Sequence, residues 1–207
     1  MEIKKLFTFS GVAGVLFFIL LLLTLEFLFI NYNPVTQTIS ELGASDSPFH
    51  PIMNYIGFSI LGISIMLFAL GFREEFTKNF HTEVSFYCLF VGGFFMFLVG
   101  FFPCDAGCIN LTPISRFHYF VSAFPALLIP IAAIISSTEI SKEWGKKWGN
   151  TSRFLGLSSV ISGPLMFFSP FSAYMGLIER IGVGIVAVWI FLISFGFYKK
   201  SIQKEKL

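Results

Sequence analysis

The chain has 207 residues, 55% of them hydrophobic and only 13% charged, with 29 phenylalanines. Soluble domains carry about a quarter charged residues, so these proportions exclude an ordinary soluble globule and make lipid the expected solvent. The net charge of +2 carries no nucleic-acid signal, because the basic residues flank apolar runs and no binding motif surrounds them.

A membrane-spanning helix needs about 20 apolar residues. Runs near 7–31, 52–72, 84–103, 118–137, 154–172 and 177–198 qualify and leave no room for a separate soluble domain. The expectation is an all-α polytopic bundle of six transmembrane helices. They form three sequential helical hairpins and a single membrane domain over 1–207. The first run follows Lys4 and Lys5, as a signal peptide would. It is longer than the roughly 7–15 apolar residues of a signal core, and no small-x-small cleavage site follows. It reads as a retained helix.

Basic residues set the orientation. Lys4 and Lys5, Arg73 and Lys78, Lys142, Lys146, Lys147 and Arg153, and Lys199, Lys200, Lys204 and Lys206 all fall on one side of six spans. These are twelve of the fourteen Lys and Arg residues. The protein is therefore expected to be multi-pass in the cell membrane, with both termini cytoplasmic.

In chain order, the first helix carries Glu26 about a turn and a half below its outer end. An intramembrane carboxylate is costly and usually faces the bundle interior or a wet cavity. The outer loop 32–50 is broken repeatedly by Pro, Gly, Ser and Asp, with one short turn expected over Thr38–Leu42. Ser47-Pro48 starts the second helix as N-cap and first helical residue, which puts His50 in the first turn. Cys88 reads as a small apolar core residue of the third helix. His81, near the inner side, reads as a solvated surface residue.

The segment 103–118, Pro-Cys-Asp-Ala-Gly-Cys-Ile-Asn-Leu-Thr-Pro-Ile-Ser-Arg-Phe-His, is the densest polar stretch between two apolar runs. Cys104 and Cys108 lie on the oxidising side, where a disulfide is permitted, and Gly107 gives the backbone freedom to close it. Asn110-Leu-Thr112 is a glycosylation sequon on the outer side. Ser115 is a candidate N-cap for the fourth helix, with His118 three residues on. Pro125, Pro130 and Gly163-Pro164 are expected to kink or unwind their helices. The 138–153 connector reads as an interfacial loop with aromatic anchors. The sixth helix starts near Gly176, placing Glu179 and Arg180 in its first turn.

Glu41, Asp46, His50, Asp105, Arg116, His118, Glu179 and Arg180 thus gather at the outer surface, with Glu26 just beneath. Three readings compete. A zinc-dependent membrane hydrolase would use His50, Asp105 and His118, with Glu41 beside them, as ligands or catalytic groups, leaving one position for an activated water. No close-spaced zinc motif is present. Alternatively, outward helix N-termini with Arg116 and Arg180 suit binding of an anionic lipid headgroup or small anion, with hydrolysis as an extension. In that reading His50, Arg116, Glu179, Arg180 and Glu26 bind ligand, and Asp105, His118 and Glu41 are the catalytic candidates. The third reading is a non-catalytic accessory subunit of a membrane complex or a homo-oligomer. Its first-turn His and Glu residues would cap helices, and Asp105–Arg116 and Glu179–Arg180 would be structural ion pairs.

Several short segments resemble the DUF998 family of uncharacterised prokaryotic integral membrane proteins. They are Asn33-Pro34, Ile39-Ser40-Glu41-Leu42-Gly43, Phe102-Pro103 with Asp105, His118, and Gly176-Leu177-Ile178-Glu179-Arg180 with Trp189. The resemblance covers roughly residues 10–198 and implies six spans, but no activity. The Cys104/Cys108 pair is not part of it.

Overall fold

A computed structural model describes residues 2–165 and 173–205. Its long helices are α1 (Glu2–Leu28), α2 (Ser59–Glu75, entered through a π-helical segment Ile52–Phe58), α3 (Phe80–Val99), α4 (Pro113–Trp144), α5 (Lys146–Leu165) and α6 (Met175–Glu205). Short 3₁₀ turns lie at Ile39–Gly43 and Ala106–Cys108. Each helix packs on its chain neighbours and α6 returns to α1, so sequential antiparallel hairpins close into a ring. α1, α3, α4, α6 and the joined Ile52–Glu75 segment are long and apolar enough to cross a membrane. α5 begins with Lys146, Lys147 and Arg153 and does not reach that standard over its described length. Residues 166–172, the far end of the fifth apolar run, lie outside the described residues.

The 138–153 connector corrects the sequence reading. α4 runs on through Glu139 to Trp144, and only Gly145, at φ 97°, separates it from α5. α4 also stays continuous through Pro125 and Pro130. Backbones approach closely where glycine removes the side chain: a Cβ on Gly62 would lie 2.6 Å from the Gly93 carbonyl, and one on Gly93 would lie 2.9 Å from the Gly62 carbonyl. Without a hydrophobic drive between helices in lipid, such small-residue contacts are a main source of association. The ring is filled by Phe68, Phe72 and Trp189, each fully buried. The Trp189 indole N–H donates to Ser152 Oγ at 2.7 Å, and that hydroxyl donates to the Ala133 carbonyl at 2.7 Å. One chain of bonds thus ties α6, α5 and α4.

The two ends of the ring differ. At the lysine-rich end Arg73 pairs with Glu83, and Glu143 accepts from Thr77 N and Lys200. Buried Glu139 takes Lys142 at 2.7 Å and lies 3.5 Å from His81. His81 is therefore an ion-pair neighbour and not simply a solvated residue. Substituting Gly62→Leu should lower stability in detergent by about 1–3 kcal/mol or more through overpacking. Gly184→Ala, where no atom lies within 4 Å of the added carbon, should leave the thermal midpoint unchanged or slightly raised.

Candidate functional site

The opposite end is organised by Arg180. Its guanidinium has five N–H donors, and all are used: Nε and Nη2 on Glu26 Oε1 at 2.9 and 2.7 Å, Nη2 on Tyr32 Oη at 2.6 Å, and Nη1 on the Gln37 and Gly176 carbonyls at 2.9 and 2.8 Å. The ion pair is largely buried, with side chains 16% and 12% exposed. Tyr32 stacks on Phe29, and its hydroxyl donates to the Thr38 carbonyl at 2.6 Å. Burial pushes the phenol up from its usual range, against the pull of Arg180, so it stays a donor at neutral pH. The Glu179–Arg180 pair expected from the sequence does not form. Adjacent helical residues diverge by about 100°, and Glu179 instead accepts the Ile39 N–H at 2.6 Å.

Loop 32–43 is consequently clamped to α1 and α6. Leu177 N donates to the Val35 carbonyl at 3.0 Å, and a Cβ at Gly176 would lie 2.6 Å from the Pro34 carbonyl. The 3₁₀ turn Ile39–Gly43 matches the expected short turn. Glu41 caps it, its Oε1 accepting from Thr38 N at 2.8 Å and its Oε2 from Gln37 Nε2 at 3.0 Å.

His50 lies behind this turn. Its Nδ1 and Asn54 Nδ2 both reach the Gly43 carbonyl, at 2.9 and 2.8 Å. Asn54 is buried, and its Oδ1 has no hydrogen-bond partner. The absence of a Cβ at Gly43 is what lets that oxygen sit against the turn. Ser47 Oγ accepts from Phe49 N at 3.2 Å, but residues 48–49 form a turn and the helix begins at His50, two residues later than the sequence reading placed it.

His118 is 2% exposed. Its Nδ1 lies 2.6 Å from the Phe102 carbonyl oxygen and its Nε2 3.2 Å from Ser40 Oγ. A carbonyl only accepts, so Nδ1 carries a proton, and in the neutral imidazole Nε2 presents its lone pair to the serine hydroxyl. Thr112, and not Ser115, caps α4: its Oγ1 accepts from Ser115 N at 3.2 Å, with Pro113 at the first helical position. Ser115 Oγ instead accepts from Asp105 N at 3.2 Å. The Asp105 carboxylate accepts from Leu111 N, Thr112 N and Thr112 Oγ1, each at 2.8 Å. The Thr112 amide and hydroxyl hold its carboxyl below the usual carboxylate range.

The Asp105–Arg116 pair also fails to form. Arg116 is exposed and reaches only the Leu111 carbonyl, at 3.3 Å. Cys104 and Cys108 form the expected disulfide, Cα atoms 4.9 Å apart, with Gly107 at φ 62°. The Tyr119 hydroxyl donates to the Cys108 carbonyl, and Ser45 N to the Cys104 carbonyl at 2.9 Å.

The zinc set does not assemble. His50, Asp105 and His118 are each directed onto backbone groups of their own surroundings. Among the described residues no group of three or more His, Cys, Asp or Glu is placed to hold a metal. What the structure brings together is Glu26 with Arg180, Glu179 with Ile39, and His118 with Ser40. The roles of Ser40, Tyr32 and Asn54 are missed in the sequence: Ser40 stands only within the family-like segment Ile39–Gly43, and no local pattern names the farther partner of any of the three. Their partners lie 78, 148 and 11 residues away.

A helical ring with an apolar girdle and a polar layer gathered at one end is an integral membrane protein. The chain belongs to the family described as Protein of unknown function (DUF998), whose model matches residues 12–196. No curated protein and no solved structure matches it.

Arg180→Gln should cost about 3–5 kcal/mol by stranding the buried Glu26 carboxylate, read as thermal unfolding in detergent. Adding Glu26→Gln should return part of the loss. For Asp105 the folded pKa is depressed. Its contribution is fully present above the ordinary value of about 3.9 and is lost as pH falls through the lower folded value. Asp105→Asn should thus speed amide exchange at Leu111 and Thr112 at pH 7, and make no difference once the wild-type carboxyl is itself protonated.

Proposed function

We propose that this is a six-span protein of the cell membrane, a single domain with both termini cytoplasmic, whose outer end holds a polar site for an outer-leaflet lipid. The lysine-rich ends of its connectors support that orientation. The observation that carries the site is the Ser40–His118 pair. His118 lies on the order of 7 Å along α4 from its first residue, at 1.5 Å per residue. The headgroup layer between hydrocarbon and water is about 5–8 Å thick on each side. The pair is thus expected at the depth of lipid headgroups and ester linkages. Exposed Ile114, Phe117, Tyr119 and Phe120 lie at the same level of α4 as His118 and suit the acyl and interfacial layers.

Arg180 has no donor left for an anion. Arg116, the one exposed basic residue at this end among the described residues, is the group available to a headgroup phosphate. Lipid retained by the purified protein should therefore shift away from anionic species in Arg116→Ala, at unchanged thermal stability. Unchanged lipid content would remove the headgroup contact. Orientation is checked in intact cells: an impermeant maleimide should label Cys104 and Cys108 only after an impermeant reductant. Labelling that needs permeabilised cells would place this end in the cytoplasm.

The closure of the Arg180 network also favours a second reading, an accessory subunit with no chemistry of its own. In that case Ser40 and His118 substitutions change stability alone.

A further inference from the structure

We propose that Ser40 is a nucleophile with His118 as its general base, and that the site acts on the acyl group of a membrane-embedded carboxylic ester. The inference rests on the lipid-site reading above and names its substrate class. The parts are those an acyl-transfer site requires: a hydroxyl in reach of an imidazole, and a third group fixing the tautomer of that imidazole. Here the Phe102 carbonyl, 2.6 Å from Nδ1, does the fixing. The Ser40–Nε2 distance of 3.2 Å is at the long end of the range for a resting nucleophile and base.

The residue that carries the hydroxyl is more open than the one that carries its base. Ser40 is half-buried and His118 buried, so the lone pair of Nε2 meets Ser40 and little else. The turn that carries Ser40 is held from three directions. Glu179 takes the Ile39 N–H, Glu41 takes the Thr38 N–H, and the Cys104 sulfur lies 3.6 Å from the Ser40 carbonyl oxygen. Ile39 N–H is spent on Glu179 and Glu41 N–H on the Thr38 carbonyl. In this proposal the Ser40 N–H, the donor between those two, serves the developing oxyanion.

The step balances without an oxidant or metal. Ser40 Oγ bonds to the ester carbonyl carbon as its proton passes to His118 Nε2. The imidazolium keeps its Nδ1–H on Phe102 and returns the Nε2 proton to the leaving alcohol oxygen as the ester C–O bond breaks. Water, or a second alcohol, then attacks the acyl-serine, giving its proton to Nε2. Ser40 Oγ leaves with that proton, releasing a carboxylic acid or a new ester.

The test uses the full chain in mild detergent, treated with a long-chain alkyl fluorophosphonate, with the site of modification mapped by mass spectrometry and retained lipid measured on the same sample. The expected result is stoichiometric modification at Ser40 and none in Ser40→Ala. The labelling rate should rise with pH across the imidazole range. His118→Gln should label on the order of 100-fold more slowly, the usual contribution of a general base. Should His118→Gln misfold, Ser40→Cys in the otherwise wild-type chain carries the test: its thiol should alkylate readily near neutral pH, below the ordinary thiol value of about 8.5, and a thiol that reacts only at higher pH would overturn the base. Wild-type protein that stays unmodified at Ser40 overturns the nucleophile, whether or not lipid is retained. Modification at Ser40 in protein that retains no lipid supports the nucleophile and refutes the lipid-retention reading instead.

Discussion

A guanidinium buried within a helical bundle is shielded from water, and its five donors must be met by protein. In this fold that demand is satisfied by Glu26 from α1, Tyr32 and Gln37 from the loop 32–43, and Gly176 from the turn of α6 just before Arg180 itself. Three separate parts of the chain are thereby set at one point. The ring closure of α1 on α6, the close passage of Gly176 beneath Pro34, and the position of the Ile39–Gly43 turn all follow from it.

The same economy repeats around the layer. His50, His118 and Glu179 each sit near the start of a helix. Each bonds a backbone group outside that helix: Gly43 O, Phe102 O and Ile39 N respectively. Loops that would carry unsatisfied backbone groups at membrane depth are in this way stitched to helix starts. The result is a hydrogen-bonded frame in which the half-buried Ser40 places its hydroxyl 3.2 Å from a buried imidazole. A frame of this kind is what a reactive pair needs in order to hold its geometry. The lysine-rich end has a different character, with more exposed pairs and a Phe76–Trp144–Phe197 aromatic cluster.

Much of this architecture is legible in the sequence because its causes are local. Apolar run length acts over one helix at a time, and the helices fall near the runs that predict them. The disulfide is readable for the same reason, since Gly107 frees the backbone within its four-residue span. The site is legible only as a gathering of residues at one end. Glu26 and Arg180 are visible as costly charges, yet nothing local says that each is the other's partner across 154 residues. The Thr112 cap is a local signal in which Pro113 outweighs Ser115. Glu139 hides because Ser136-Ser137-Thr138 resembles a connector, although it is helix. The short segments that resemble the family, from Asn33-Pro34 to Gly176–Arg180, look unrelated along the chain, and nearly all of them meet in the layer held by Arg180.

The central claim is that Arg180 holds the loop 32–43 in place. Hydrogen–deuterium exchange over residues 32–43 in Arg180→Lys measures it most directly, because lysine keeps the charge but cannot span the same five acceptors. The account predicts strong protection of this stretch in the wild type, the Ile39 amide included, and a large loss of it in the variant with the transmembrane cores unchanged. Equal protection in both proteins would contradict it.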